Sequence, residues 1–108
     1  MEHKLFSEGP QKIFVDIDET ICFYEDKRIY DKALPSYENI AKINRLYDKG
    51  NEITYYTARG SGSGINYYDL TKEQLDSWGC KYHHLSTGKK PVVDMFIDDK
   101  AYRIEEIE

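Results

Sequence analysis

Acidic side chains crowd the end of one apolar segment near the N-terminus. The sequence KIFVDIDETICFY at residues 12–24 begins as an apolar run and then places Asp16, Asp18 and Glu19 within four positions. Carboxylates this close together repel one another, and they do not all stay ionised unless a cation lies among them. The residue types and their spacing therefore favour a site for a positively charged ligand.

A second pair of acids ends another apolar segment. The sequence VVDMFIDD at residues 92–99 closes with Asp98 and Asp99. Mg²⁺ is a hard cation that binds one or two carboxylates together with water and phosphate oxygens. The two cysteines, Cys22 and Cys80, lie far apart and form no motif for a softer metal. The two acidic segments together favour a Mg²⁺ site.

Three further features could bind a phosphate group. Thr57 ends the apolar segment EITYYT, the loop ARGSGSG follows at residues 58–64, and the turn TGKKP contains Lys89 and Lys90. Mg²⁺, a lysine and a hydroxyl group suit phosphoryl transfer, because they offset charge on the transferring group. An aspartate can attack phosphorus to form an aspartyl-phosphate. A second carboxylate can then protonate the leaving oxygen and activate water.

Short apolar segments rich in β-branched residues predict the strands that would position these groups. The predicted strands cover residues 12–17, 52–57, 81–86 and 92–99. Residues 20–34 show no sustained period, so we expect a loop or a small flap there.

Two helices are predicted between these strands. In the first, apolar residues from Ile40 to Tyr47 recur at three- and four-residue spacing, which marks one face of a helix. Ser36 is a plausible N-cap for this helix, and Gly50 is a plausible residue to end it. The second predicted helix covers residues 65–79 and also ends at a glycine.

The order of the elements predicts an α/β fold with a parallel sheet. Strands separated by helices are joined by right-handed crossovers, and such crossovers make the strands parallel. In sheets of this kind, ligands bind beyond the carboxyl ends of the strands. We therefore expect Asp16, Asp18, Thr57 and the Asp98–Asp99 pair to converge on one edge of one sheet.

Length, charge and composition limit the remaining function classes. The chain has 108 residues, which predicts one domain over residues 1–108, and its formal net charge is −5. The acidic balance argues against a nucleic-acid partner, although a few local cations suffice for one phosphate group. We find no signal-peptide core, membrane-spanning run or disulfide framework in the sequence, so we expect a cytoplasmic protein.

Four motifs, in this order, resemble those of the haloacid dehalogenase-like (HAD) phosphohydrolases. DIDET at residues 16–20 matches the DxDxT signature, and YYT ending at Thr57 is similar to the second motif. Lys90 in GKKP resembles the third-motif lysine, and FIDD at residues 96–99 resembles the fourth motif. The resemblance spans roughly residues 12–100. It implies a three-layer α/β/α Rossmann-like core with a minimal cap or none.

The resemblance implies a role for each matching acid. Asp16 would be the nucleophile and a Mg²⁺ ligand. Asp18 would be the general acid/base, with its backbone carbonyl on the metal. Asp98 would ligate Mg²⁺ directly, and Asp99 would do so directly or through water.

The remaining motif residues would hold the phosphoryl group and the loop. Thr57 and Ala58 would bind the phosphoryl group, and Lys90 would stabilise both phosphate and nucleophile. Lys89 is the alternative for the lysine role, but the family often shows lysine directly before proline. Thr20 would help position the catalytic loop.

Two residues near the motifs have no role in the resemblance. Glu19 stands where the family frequently has glycine, and we expect its side chain to point away from the metal. Arg59 follows Thr57 and either contacts substrate from the loop or pairs with surface acids.

The resemblance implies a Mg²⁺-dependent phosphomonoester hydrolase that acts through an aspartyl-phosphate. The segments DIDETIC, TARG, GKKP and FIDDKA are most similar to small capless HAD proteins of capsule and surface-polysaccharide synthesis, which implies a sugar phosphate or related metabolite. Without a cap, the site would be open, screened by a short flap at residues 21–34 or by another subunit of a homo-oligomer. The alternatives are a nucleic-acid end phosphatase, a non-catalytic binding or regulatory protein, and a phosphomutase, which usually needs a cap to exclude water.

Overall fold

Strands and helices alternate along most of the chain, in a computed structural model that describes residues 10–88 and 103–107. The elements in these ranges are β1 (Lys12–Asp16), β2 (Cys22–Phe23), β3 (Leu34–Pro35), α1 (Tyr37–Asp48), β4 (Glu52–Thr57), α2 (Tyr68–Ser77) and β5 (His84–Thr87). Short 3-10 turns occupy Tyr30–Lys32 and Ile104–Glu106. Within the described ranges, no helix is long and apolar enough to cross a membrane.

The larger sheet has the strand order β1-β4-β5, and both neighbouring pairs are parallel. Asp16 pairs with Tyr56 across β1 and β4, and Thr57 pairs with Thr87 across β4 and β5. The carboxyl ends of all three strands therefore lie at one edge. The prediction of an α/β fold with a parallel sheet is confirmed. The fourth predicted strand, residues 92–99, lies outside the described residues.

One apolar cluster joins the sheet to both helices. The apolar face of α1 is buried there with Ile53 and Tyr55 of β4, and Leu75 of α2 lies in the same cluster. Full burial of one such aliphatic side chain contributes about 1.5–3 kcal/mol. By contrast, Phe14 of β1 is 66% exposed, because alternate residues of a strand point to opposite faces of its sheet. The cluster fixes the sheet whose edge carries the acids.

The caps of α1 agree with the sequence prediction. The Ser36 hydroxyl accepts a hydrogen bond from the backbone N–H of Asn39 at 3.3 Å, which satisfies one of the free donors of the first turn. Lys49 closes the helix, and Gly50 follows at a φ of +97°, a conformation that glycine adopts without steric cost.

The helix α2 begins later than predicted. The carboxamide oxygen of Asn66 accepts a hydrogen bond from the backbone N–H of Tyr68 at 2.9 Å, which forms a local turn in place of a first helical turn. The predicted start at residue 65 is therefore wrong by three residues. Gly79, at a φ of +75°, follows the helix as expected.

The strand β5 is displaced toward the C-terminus from the predicted range 81–86. The backbone N–H of Lys81 donates to the side chain of Asn44 on α1 at 2.9 Å. The Nδ1 atom of His83 accepts from the backbone N–H of Ile53 at 3.1 Å. The backbone N–H of His83 also donates to the Ile53 carbonyl at 2.8 Å, so the chain already contacts β4 just before regular pairing begins at His84.

The predicted flap at residues 21–34 contains a minimal hairpin. Its two strands, β2 and β3, are antiparallel, with Cys22 paired to Pro35 and Phe23 paired to Leu34. The 3-10 turn lies between them. No separate domain is inserted between β1 and α1, so the segment next to the acidic loop is short.

Candidate functional site

A tight turn follows β1 and carries the first two acids. The Asp16 Oδ1 atom accepts a hydrogen bond from the backbone N–H of Ile17 at 2.8 Å. Ile17 is fully buried, and its carbonyl accepts the backbone N–H groups of Thr20 at 3.2 Å and Ile21 at 3.0 Å. Burial of Ile17 thus anchors the turn, and Asp16 stays half-buried at the end of the strand.

The Asp18 carboxylate is bound from three sides. Arg59 approaches with Nη2 at 2.9 Å from Oδ1 and Nε at 3.1 Å from Oδ2. The Thr57 hydroxyl donates to Oδ2 at 3.2 Å, and the Tyr24 hydroxyl donates to Oδ1 at 2.5 Å. Two segments that are distant in sequence, residues 18–24 and 57–59, therefore meet at one carboxylate, at the edge where β1 and β4 end.

Hydrogen bonds from Arg59 and Tyr24, together with the charge of Arg59, lower the pKa of Asp18. Burial raises the pKa of the Asp18 carboxyl, but hydrogen bonds from Arg59 and Tyr24 and the positive charge of Arg59 outweigh it, so the pKa lies below its usual range. Burial also raises the pKa of the Tyr24 phenol, and the bond to Asp18 raises it further. Asp18 is therefore a carboxylate and Tyr24 a neutral donor at neutral pH.

Arg59 is buried and pairs with Asp18, so the interpretation that it pairs with surface acids is wrong. Its exposed fraction is 1%, and its Nη1 atom donates to Gln74 Oε1 at 2.6 Å and to Thr71 Oγ1 at 3.2 Å. It forms an ion pair with Asp18, one of the candidate-site acids, on the buried side of the loop that follows β4. One signal could have revealed this: Thr71 and Gln74 are polar residues on the same helix face as the core residue Leu75.

Thr57 lies where the sequence predicts it, but its hydroxyl is already engaged. Its exposed fraction is 1%, its single proton goes to Asp18, and its oxygen accepts the backbone N–H of Arg59 at 3.2 Å. Donation to a phosphoryl oxygen would require the hydroxyl to turn from Asp18. Ala58 is half-buried, and its carbonyl accepts the backbone N–H of Ser61 at 2.8 Å, which shapes the loop after β4.

Glu19 adopts a left-handed backbone conformation. Its φ is +64°, where a side chain is disfavoured and glycine is not. The exposed Glu19 carboxylate pairs with Arg28 of the flap at 3.2 Å, so the side chain serves a surface contact.

The other half of the predicted site lies outside the described residues. This applies to Lys89, Lys90, Asp98 and Asp99. Within residues 10–88 and 103–107, no group of three histidine, cysteine, aspartate or glutamate side chains could hold a metal ion. The Asp16 carboxylate has the oxygen donors that Mg²⁺ prefers, whereas the Asp18 carboxylate is occupied by protein donors. Mg²⁺ therefore remains a prediction.

The outer side of the flap contains a hollow of about 370 Å³. Tyr24, Ile29 and Leu34 provide apolar surface in it, and the charges of Lys27 and Lys32 are balanced by those of Glu25 and Asp26. The balance gives no preference for an anionic ligand.

The fold is similar to that of a crystal structure of an MCSG target protein from Vibrio cholerae. The two chains are 27% identical, with a TM-score of 0.75, and the match covers 89% of this chain and 85% of that chain. No family model matches the chain, and no curated protein matches it. The likeness supports the α/β fold, while an activity has to be argued from the site.

Proposed function

We propose that this chain is a Mg²⁺-dependent phosphomonoester hydrolase with the three-layer α/β/α core of the capless HAD phosphatases. One observation carries the proposal. Asp16 ends β1 at the same sheet edge where Thr57 ends β4. Asp18 lies at this edge and accepts a hydrogen bond from the Thr57 hydroxyl at 3.2 Å. The carboxyl edge of a parallel sheet is the usual place for a ligand site. The motif residues in the described ranges are thus adjacent, as a phosphoryl-transfer site requires.

The reaction would proceed in two displacements at phosphorus. Asp18, a carboxylate in the free protein, would first take up the acidic proton of a bound phosphate monoester monoanion. An Asp16 carboxylate oxygen attacks phosphorus, the bond to the leaving oxygen breaks, and Asp18 passes this proton to that oxygen. Water then attacks the aspartyl-phosphate, gives a proton to Asp18, and releases inorganic phosphate and free Asp16. The rigid turn at Ile17 holds the attacking group, and the pair with Arg59 orients the group that moves the proton.

Bound Mg²⁺ would neutralise charge on the phosphoryl oxygens and on Asp16. We expect Asp16, the backbone carbonyl of Asp18, Asp98 and Asp99 to hold it. Both arginines that contact the acidic loop are already paired, Arg28 with Glu19 and Arg59 with Asp18. The phosphate charge therefore calls for a further cation, and Lys90 is the residue that the third motif proposes for this role.

The substrate we propose is a small phosphorylated metabolite, such as a sugar phosphate of surface-polysaccharide synthesis. The flap beside the site is short, which leaves room for a small substrate. The net charge of −5 disfavours a nucleic-acid end as the substrate.

The decisive experiment is hydrolysis of p-nitrophenyl phosphate with and without Mg²⁺. We expect turnover that EDTA abolishes and that falls by at least about a thousandfold in Asp16→Asn, because a carboxamide does not replace the nucleophile. Asp26→Asn, the same change on the exposed flap, is the matched control and should retain activity. Turnover that survives in Asp16→Asn would exclude the aspartyl-phosphate mechanism.

A non-catalytic binding or regulatory protein is the second candidate. Its support is that protein groups already bind the Asp18 carboxylate. The Thr57 hydroxyl donates to Asp18 and accepts the backbone N–H of Arg59, and the Arg59 side chain also donates to Asp18. Mg²⁺ binding by titration calorimetry, with no turnover in a screen of phosphorylated sugars and nucleotides, would favour this candidate.

A further inference from the structure

Arg59 joins the acidic loop to the helix α2 through one buried guanidinium. Two nitrogens face the Asp18 carboxylate, Nη2 at 2.9 Å from Oδ1 and Nε at 3.1 Å from Oδ2. The third, Nη1, faces Gln74 and Thr71 of α2. A planar guanidinium with fixed donor directions has little freedom once two segments hold it from different sides. Arg59 is thus a rigid support on which other groups can be aligned.

The flap uses the same support through two tyrosines. The Tyr24 hydroxyl donates to Asp18 Oδ1 and accepts from Arg59 Nη2 at 3.2 Å. The ring of Tyr30 lies 4.9 Å from the guanidinium carbon of Arg59, a distance typical of a cation–π contact. The Tyr30 carbonyl also accepts from the Gln74 carboxamide at 2.6 Å. The flap therefore docks onto the residue that orients Asp18.

The rest of the flap is weakly held. Its two strands have two residues each, and Glu25, Asp26, Lys27 and Arg28 at the tip are exposed. Segments with few buried contacts open at low free energy. When this flap lifts, Tyr24 must leave Asp18, because the hydroxyl and the flap backbone move together.

We propose that Tyr24 is a positioning residue for Asp18, so that flap docking and alignment of the Asp18 carboxylate are one event. The proposal rests on the proposed function for its catalytic consequence: proton transfer to the leaving group is efficient only while the flap is down. Substrate entry with the flap raised would find Asp18 misaligned, and closure would complete the site.

The first test needs no activity. In hydrogen exchange, the flap amides of Lys32 and Ala33, which bond to Ile29 and Tyr30 at 2.9 and 3.3 Å, report flap docking. We expect Tyr24→Phe to raise their exchange rates roughly tenfold, the effect of losing about 1.4 kcal/mol. Exchange unchanged in Tyr24→Phe would overturn the coupling.

Two matched variants control this measurement. Tyr37→Phe makes the same change at a tyrosine that is 63% exposed beside the flap, and Asp16→Asn removes a negative charge from the acidic loop. Both should leave the flap amides within about twofold of wild type. Equal effects of Tyr24→Phe and Tyr37→Phe would show that general destabilisation, rather than a specific contact, controls the flap.

The second test separates positioning from a merely structural role. A misaligned proton donor harms substrates with poor leaving groups most, since a good leaving group departs without a proton. We expect Tyr24→Phe to lower kcat for an alkyl phosphate at least about tenfold more than for p-nitrophenyl phosphate. Equal losses on both substrates, or none, would refute the positioning role.

The outcomes distinguish this inference from the proposed function. Absence of wild-type turnover would refute the proposed function, and the hydrogen-exchange comparison would still decide whether Tyr24 couples the flap to Asp18. Wild-type turnover that is lost in Asp16→Asn, together with unaltered flap exchange in Tyr24→Phe, would support the function and refute the inference. Variants of Arg59 or Asp18 are a poor test, because they break a buried ion pair and can unfold the domain.

Discussion

Neighbouring acids in one loop have different partners and different energetic roles. Asp18 points to the interior and is paired with the buried Arg59, whereas Glu19 points outward and pairs with Arg28, whose side chain is half exposed. Exposed ion pairs contribute only about 0–1 kcal/mol to stability. The pair between Glu19 and Arg28 therefore offsets little of the cost of the left-handed backbone at Glu19. The conformation itself costs about 1–2 kcal/mol for a residue with a side chain.

Replacing Glu19 should therefore separate backbone strain from the surface pair. We expect Glu19→Gly to be more stable than Glu19→Ala by about 1 kcal/mol, because both variants lose the carboxylate but only glycine relieves the backbone. Urea denaturation of the two variants measures this difference directly. Equal midpoints would mean that the turn adopts another conformation in solution.

At the scale of single residues, the sequence predicts which acids lie in the candidate site. It does not predict which positively charged side chain pairs with them. Asp16, Asp18 and Thr57 were recognisable, since each follows an apolar strand. The burial of Arg59 was not, because it depends on Thr71 and Gln74, residues that α2 brings to the site from 12 and 15 positions away. Partners of a buried charge come from packing, and local sequence does not report packing.

The loop after β4 connects the candidate site to the helix α2. Gly60 has a φ of +84°, and a Cβ atom placed on it would lie 2.0 Å from the carbonyl oxygen of Ile65. The Gly64 N–H donates to the Gly60 carbonyl at 2.9 Å, which closes the loop on itself. Since Ala58 and Arg59 directly precede this turn, its shape fixes the direction in which both leave the strand.

Two alanine substitutions in this loop should differ sharply. Gly60→Ala forces a methyl group against backbone, and we expect a loss of at least about 1–3 kcal/mol in unfolding free energy. Gly62→Ala meets nothing within 4 Å and should be nearly neutral. Thermal unfolding of the pair provides the comparison. A Gly60→Ala variant as stable as Gly62→Ala would show that the loop rearranges freely.

Elements with strong local signals were predicted well, and those shaped by distant contacts were not. The Ser36 cap and Gly50 define α1 within its own sequence, and the prediction agrees with the structure. The start of α2 and the range of β5 were displaced. In the second case the bonds just before the strand, from Lys81 to Asn44 and from Ile53 to His83, cross between elements.

On the scale of the molecule, one core encloses the apolar face of the sheet and both cysteines pack against it. Cys22 is fully buried and Cys80 partly so, and both are free thiols. Burial raises the pKa of each to about 12, and the Asp18 charge adds to this for Cys22. The unfolded chain exposes ordinary thiols with pKa values of about 8.5. Thiol reactivity therefore distinguishes the folded protein from the unfolded chain.

We expect alkylation by iodoacetamide at pH 8 to be slower in the native protein by about a hundredfold or more, because the thiolate is the reactive form. Labelling should accelerate in urea with the same midpoint as loss of the circular dichroism signal. Rapid labelling of either cysteine in the native state would contradict the burial described for it. Mass spectrometry of the labelled peptides identifies which thiol reacts.

The two-strand base of the flap has an architectural consequence. Phe23 faces Leu34 across it, and the Ser36 N–H donates to the Ile21 carbonyl at 2.8 Å, so the chain enters and leaves the flap at neighbouring points. Extra residues at the exposed tip would leave these bonds intact, and each doubling of a flexible loop costs only about 0.6 kcal/mol. The tip is thus a suitable insertion site. A peptide or a whole domain can be inserted there, beside the acids, without interrupting the sheet.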